Sequence, residues 1–181
     1  MYISAQKKKE NIAEYILYMW QIEDIVRAYR LDIELINKHI IEKYDLPTEK
    51  KKELSEWYEH LIEMMRAENA IEVGHLQINK NAIINLSDFH IALLNSRQNN
   101  EYNALYHKVS PIIHELKEKQ NNTIKNDIEV CFSFLYGILM LKLQQKEITK
   151  QTEDALTQIS QFIAYLSAKY KLHKEGKLVL E

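Results

Sequence analysis

The chain has 181 residues, of which 46% are hydrophobic and 28% are charged, and its formal net charge is −2. This length and balance predict one globular domain and exclude a disordered chain. The near-neutral charge excludes the broad basic face that nucleic-acid binding requires, and the single cysteine, Cys131, excludes a disulfide framework or an all-thiolate zinc site.

Helical periodicity runs through nearly the whole chain, and three glycines with two prolines are too few for a strand-rich fold. We therefore predict an all-α, single-domain bundle of about six to seven helices over residues 1–181, with a loosely ordered tail at 171–181. The first helix runs from Glu10 to Tyr29 and is apolar around much of its circumference, so it is expected to be central. The second runs from Asp32 to about Tyr44.

Pro47 interrupts the helical pattern before the third helix. Either Asp45 or Thr48 is expected to cap that helix, and Gly74 to end or bend it. The fourth helix covers about 79–96, followed by polar turns at 97–100 and 120–123 on either side of the fifth. Pro111 falls on the outer side of the fifth helix, which predicts a kink and not an end.

The sixth helix, Asn126 to Glu147, contains the most apolar stretch, Val130 to Leu143. That stretch is shorter than the roughly 20 residues that cross a bilayer, so we expect a buried core helix and no membrane partner. Gly137 inside it predicts a close helix contact. A seventh helix begins near Thr149. The amino terminus lacks a small-residue cleavage site, so no secretory signal and a cytoplasmic location are expected.

Four segments carry a resemblance to a known family: Glu10–Trp20, Gly74–Gln77, Cys131–Gly137 and Leu143–Thr149. Through them the whole chain resembles a family of uncharacterised helical proteins of similar length from Bacteroidetes bacteria, a domain of unknown function. The resemblance implies a soluble bacterial protein. It implies no reaction and no functional residues.

The first candidate site is in the predicted first helix, where Glu23 lies near the middle of the apolar stripe with Arg27 and Arg30 on the same side. A carboxylate withdrawn from water needs a charged or hydrogen-bonding partner, and Arg27 is four residues away, within reach. One interpretation is a polar pocket between helices that binds an anionic or polar ligand. The other, which we favour, is a structural ion pair or a stripe edge.

His90 is the second candidate, because it occupies the centre of the apolar stripe of the predicted fourth helix. A core histidine bonded to a backbone carbonyl or to a tyrosine is the favoured interpretation. A metal-binding role would need ligands from other helices.

A third pattern, Glu72-Val73-Gly74-His75, has the Glu-x-x-His spacing of di-iron carboxylate bundles, but it occurs once and contains a glycine. Glu56, Glu59, His60 and Glu63 lie on the predicted solvent face of the third helix. We therefore expect no metal and no cofactor.

No nucleophile elbow, phosphate loop or dinucleotide fingerprint occurs, and Cys131 lies in the apolar run, so no catalytic residue is assigned. The lysines at 7–9 and 50–52 are offset by nearby acids, and no nucleic-acid partner is expected. Eleven tyrosines and two tryptophans exceed what a small core needs, which favours a homo-oligomer or a protein partner.

The leading hypothesis is therefore a non-catalytic, cytoplasmic helical interaction or regulatory protein. The alternative is a small-molecule-binding or enzymatic bundle with a polar pocket around Glu23, Arg27, Arg30 and His90. The geometry of those four side chains distinguishes the two hypotheses.

Overall fold

A computed structural model describes residues 2–96, 99–120, 123–124 and 126–178, apart from the side chains of Tyr2, Ile3 and Ala5. Within these ranges the chain is all-α, as the periodicity predicted, and contains no strand. A short 3₁₀ helix covers Ile41–Lys43, and the α-helices are α1 (Tyr2–Glu10), α2 (Ile12–Ala28), α3 (Ile33–His39), α4 (Thr48–Ala67), α5 (Gln77–Asn95), α6 (Asn100–Lys119), α7 (Asp127–Leu143) and α8 (Lys150–Lys174).

The chain forms two compact units, one of Met1–Lys9 with Glu14–Asn81 and one of Glu10–Ala13 with Ala82–Glu181. In the first unit α3, α4 and the 3₁₀ helix pack together. In the second unit α6, α7 and α8 pack on one another in all three pairings. The buried side chains of the second unit include Leu86, Phe89, Leu93, Tyr102, Val109, Ile113, Ile128, Phe132, Ile159, Phe162, Ile163 and Leu166.

Helix α1 was not predicted, and it precedes the first predicted helix, which is α2 and begins at Ile12, two residues after its approximate predicted start. Asn11 separates the two helices, and its side-chain oxygen accepts the N–H of Ala13 at 3.0 Å. This bond satisfies one of the free N–H groups at the start of α2. Lys7, Lys8 and Lys9 lie in the last turn of α1, where the helix dipole favours positive charge.

Helix α2 is apolar around much of its circumference, as predicted, with Ile12, Tyr15, Ile16, Met19, Trp20, Ile22 and Val26 all buried. After α2 the chain turns through Arg30 and Leu31, both at φ +56°. Asp32 then caps α3, because its side chain accepts the N–H groups of Glu34 and Leu35 at 2.9 and 3.3 Å.

The prediction of the ends of α4 is wrong at both sides. Neither Asp45 nor Thr48 caps the helix: Pro47 stands at the N-cap, without a side-chain bond. The helix ends at Ala67 and not at Gly74, because Asn69 adopts the left-handed conformation at φ +54°. The N–H of Ala70 then closes the turn on the carbonyl of Met65 at 2.8 Å, the bond of a Schellman cap.

Helix α6 continues through Pro111, which is exposed, as the sequence predicted. Helix α7 begins at the predicted place, because Asn126 accepts the N–H groups of Ile128 and Glu129. It ends at Leu143, earlier than the predicted Glu147, since Gln145 adopts φ +56°.

The prediction for Gly137 is wrong. It is exposed, and a Cβ placed on it would meet no atom of the described residues within 4 Å.

Helix α8 starts after Thr149, whose hydroxyl accepts the N–H of Thr152 at 3.3 Å, so the predicted start is confirmed. It extends to Lys174, which places the first four residues of the predicted loose tail in a helix. The predictions for residues 97–98, 121–122, 125 and 179–181 lie outside the described residues. None of the described helices combines the length and the apolarity that a membrane span needs.

Candidate functional site

Glu23 is the most deeply buried charged side chain of the first unit, with 1% of its surface exposed. Its Oε1 atom accepts the N–H of Leu76 at 2.9 Å and the side-chain amide of Asn79 at 2.7 Å. Its Oε2 atom lies 2.6 Å from Nδ1 of His75. Three donors on one carboxylate offset the cost of removing it from water.

His75 was considered in the sequence only as part of the Glu-x-x-His spacing, and the structure makes it the partner of Glu23. Its ring stacks on the buried indole of Trp20, with centroids 4.1 Å apart and planes 8° apart. An ionised carboxylate can only accept hydrogen bonds, so Nδ1 of His75 is the donor to an ionised Glu23. The arrangement fixes the orientation of the imidazole and holds the segment before α5 against α2.

Arg27 acts on the same segment, and it does not pair with Glu23. Its guanidinium bonds Asp24 at 2.8 Å, the carbonyl of Ala70 at 3.1 Å and the carbonyl of Gly74 at 2.5 Å. Glu23 and Arg27, one turn apart on α2, thus bind the segment that connects α4 to α5. Arg27 bonds its carbonyls at Ala70 and Gly74, and Glu23 bonds His75 and Leu76 at its end. Arg30 is exposed in the turn after α2.

His90, the fourth predicted residue, belongs to the second unit. It is 5% exposed, and its Nδ1 shares a hydrogen bond of 2.5 Å with the hydroxyl of Tyr102. Burial lowers the pKa of His90, while the nearby charge of Asp127 acts in the opposite direction. His90 is therefore a core histidine bonded to a tyrosine, in agreement with the interpretation that the sequence favoured.

A polar cluster that the sequence did not predict lies beside His90, where Tyr106 and Lys117 of α6 meet Asp127 of α7. The hydroxyl of Tyr106 donates to Asp127 at 2.5 Å, and the ammonium of Lys117 pairs with the same carboxylate. Burial alone would raise the pKa of Asp127, but the bonds and charge of Lys117 and the bond of Tyr106 bring it below its ordinary value. The ring of Tyr106 lies 4.9 Å from that of His90.

This cluster borders an open cleft of about 430 Å³, which Ser110, Pro111, Ile113 and His114 also line. Its charged groups are largely satisfied by one another, so the cleft offers few free polar groups to a ligand.

Cys131 is fully buried, and burial raises the pKa of its thiol far above the ordinary value. A buried, protonated thiol is a poor nucleophile. Among the described residues no group of three or more His, Cys, Asp or Glu side chains could hold a metal ion. Glu56, Glu59, His60 and Glu63 are all exposed, on the solvent face that the sequence predicted.

The outward face of α7 is the other feature that the sequence did not predict. We define this face as Ser133, Phe134, Gly137, Met140 and Leu141, which share one side because of their helical spacing. Gly137 is exposed and the other four are half-buried, and Leu143 at the end of the helix is 65% exposed. The spacing of apolar residues along the sequence cannot identify such a face, because α7 is apolar on every side.

Comparison with known proteins identifies the family of the chain. The sequence matches the family described as Domain of unknown function (DUF4924) over residues 1–177, and the chain belongs to that family. No curated protein and no solved structure matches it.

Proposed function

We propose that this member of the DUF4924 family is a non-catalytic helical interaction or regulatory protein that associates with a second copy of itself. The outward face of α7 carries the proposal. Phe134, Met140 and Leu141 keep part of their apolar surface in water, and removing such surface is worth roughly 25 cal/mol per Å². Contiguous apolar surface that stays in contact with water on a folded domain is a candidate interaction site.

The interactions around Glu23 and His90 support a structural role for the predicted site residues. Glu23 and Arg27 bind the segment before α5, and His90 bonds Tyr102 in the core of the second unit. The bonds that these groups make lie within their own units, while Nε of Arg27 is buried without a partner among the described residues. Polar atoms bonded within the chain stabilise a fold and leave little for a substrate.

The single buried cysteine agrees with a reducing, cytoplasmic location, which is part of the proposal. A Bacteroidetes origin rests on the resemblance of the sequence alone.

The molar mass of the intact chain tests the proposal directly. Light scattering or sedimentation across micromolar concentrations should give a mass above that of one 21.5 kDa chain. A monomer at every concentration would count against self-association.

A second candidate function is small-molecule binding in the cleft beside Tyr106, Lys117 and Asp127. The combination of a cleft, an ion pair and perturbed pKa values favours it. Thermal-shift screening with a metabolite library, repeated on Asp127→Asn, would test this candidate. A ligand whose stabilising effect persists in the variant would bind elsewhere.

A further inference from the structure

His75 has one ring nitrogen on a buried carboxylate and the other in contact with water. Its Nδ1 lies 2.6 Å from Oε2 of Glu23, whose side chain is 1% exposed. Its Nε2 makes no hydrogen bond to the described residues and is not among their buried, unpaired polar atoms. Nε2 therefore belongs to the exposed 30% of the His75 side chain.

Two contacts hold the imidazole of His75 in this position. The indole of Trp20 stacks on one face of the ring, with centroids 4.1 Å apart and planes 8° apart. The carboxylate of Glu23 is itself fixed, because its Oε1 accepts the N–H of Leu76 and the side-chain amide of Asn79. An imidazole that the fold already orients does not need to be ordered before it reacts.

The carboxylate determines the chemistry of Nε2. When His75 is neutral, its proton is on Nδ1, the nitrogen that donates to an ionised Glu23, and the lone pair is on Nε2. Attack of Nε2 on an electrophile gives the ring a positive charge. A carboxylate 2.6 Å from Nδ1 stabilises that charge, so the arrangement favours a nucleophilic role for Nε2.

The other histidines of the described residues lack this combination. His90 is buried, and its Nδ1 shares a hydrogen bond with a hydroxyl group and not with a carboxylate. His114 lies 3.4 Å from Glu118, but the two side chains are 74% and 63% exposed, where water screens the interaction. No carboxylate of the described residues pairs with the remaining four, which are His39, His60, His107 and His173.

We propose that His75 accepts a phosphoryl group at Nε2 from an acyl phosphate. The lone pair of Nε2 forms the N–P bond, the P–O bond to the acyl group breaks, and the carboxylate leaves with that electron pair. The proton on Nδ1 stays in its hydrogen bond to Glu23 throughout. This inference goes beyond the proposed function, because it gives an interaction protein a site at which its charge can be changed.

The charges around His75 favour an anionic donor over a neutral acyl donor. Arg27 bonds the carbonyl of Gly74, the residue before His75, and its side chain is only 15% exposed. A partly buried cation is weakly screened and attracts an anionic phosphoryl group. The acids of the same segment, Glu68 and Glu72, are exposed, so water screens them more strongly.

Reaction of the full-length chain with acetyl phosphate tests the proposal. Tandem mass spectrometry at mildly alkaline pH, where phosphohistidine is stable, gives the rate at each histidine. His75 should be phosphorylated roughly tenfold faster than His60, which is exposed on α4. Because both residues belong to the same molecule, this comparison does not depend on the folding of any variant. Heteronuclear NMR should place the phosphoryl group on Nε2 of His75.

Two variants and a second reagent test the parts of the site. Glu23→Gln, checked for helix content by circular dichroism, should lower the rate at His75 to that at His60. Glu59→Gln, beside His60 at an exposed position, is the matched control and should leave both rates unchanged. Diethyl pyrocarbonate, an uncharged acyl donor, should prefer His75 less strongly than acetyl phosphate does, because Arg27 attracts only the anionic donor.

Each contrary result overturns a stated part of the proposal. A wild-type rate at His75 that does not exceed the rate at His60 overturns the phosphoryl acceptor itself, as does a phosphoryl group on Nδ1. A fast reaction that a folded Glu23→Gln chain retains overturns the role of the carboxylate. An equal preference for His75 with both reagents overturns the selection of an anionic donor.

Discussion

Oε2 of Glu23, on α2, lies 2.6 Å from Nδ1 of His75, which is 52 residues further along the chain. The carboxylate is almost completely buried, whereas 30% of the His75 side chain is exposed. Together with Arg27, this contact holds the segment between α4 and α5 on α2.

Removing the carboxylate of Glu23 should destabilise the fold. Glu23→Gln keeps the volume, but its amide nitrogen replaces one of the oxygens that accept from His75, Leu76 and Asn79. The expected loss is about 1–3 kcal/mol in the free energy of unfolding, measured with urea. Glu59→Gln, at an exposed position of α4, is the matched control and should change little. Equal midpoints for the two variants would argue that Glu23 is kept for another reason.

Replacing Arg30 with glycine should stabilise the protein. Arg30 adopts φ +56°, a left-handed conformation that costs a side-chain-bearing residue roughly 1–2 kcal/mol and glycine much less. Arg30→Gly should therefore raise the thermal midpoint. Ala104→Gly, at an exposed position within α6, should lower it by the usual helix penalty. A lower midpoint for Arg30→Gly would point to a role of its side chain.

Acid should weaken the second unit through His90. Burial lowers the pKa of His90 in the folded state below the unfolded value of about 6.5. The unfolded chain therefore takes up this proton first as the pH falls. The contribution of neutral His90 is complete above about pH 6.5 and decreases below it. His90→Gln should show a smaller loss of unfolding free energy between pH 7.5 and pH 5 than the wild type does. Equal slopes would contradict the assignment.

Asp127 should act in the same direction as His90, in a more acidic range. Its pKa is below the ordinary value, so its pairing with Lys117 and Tyr106 contributes fully above the unfolded pKa of about 3.9 and is lost as the pH falls below it. Asp127→Asn should cost about 1–3 kcal/mol at pH 7 and clearly less at pH 3. Asp88→Asn, at an exposed position of α5, serves as the control. A deficit that is the same at both pH values would exclude an ionic contribution.

Gly137→Ala should separate the stability of the single chain from that of the dimer. In dilute solution the variant chain should be more stable by about 1 kcal/mol, because its Cβ meets no neighbour among the described residues and alanine favours the helix. At high concentration the same methyl group adds bulk to the outward face of α7 and should weaken self-association through that face. A stability gain that grows with protein concentration would contradict self-association through this face.

The sequence predicted features that depend on residues within one helical turn. Asn126 and Thr149 stood at predicted helix starts, and both accept backbone N–H groups there. Pro111 was predicted to stay inside a helix because it faces outward, and it does. The ends of α4 and α7 were missed because Asn69 and Gln145 adopt positive φ there. Glycine is the residue that commonly signals this conformation in a sequence, and neither position has one.

What the sequence by itself determined is the all-α class and the inward position of Glu23 and His90, since apolar periodicity shows which face of a helix is buried. Only the tertiary structure decided their partners. Glu23 bonds His75 and not Arg27, and His90 bonds Tyr102. A buried group forms its hydrogen bonds with the donors and acceptors that helix packing places beside it. The outward position of Gly137 was settled in the same way. When a helix is apolar on every side, its own sequence does not show which side its neighbours cover.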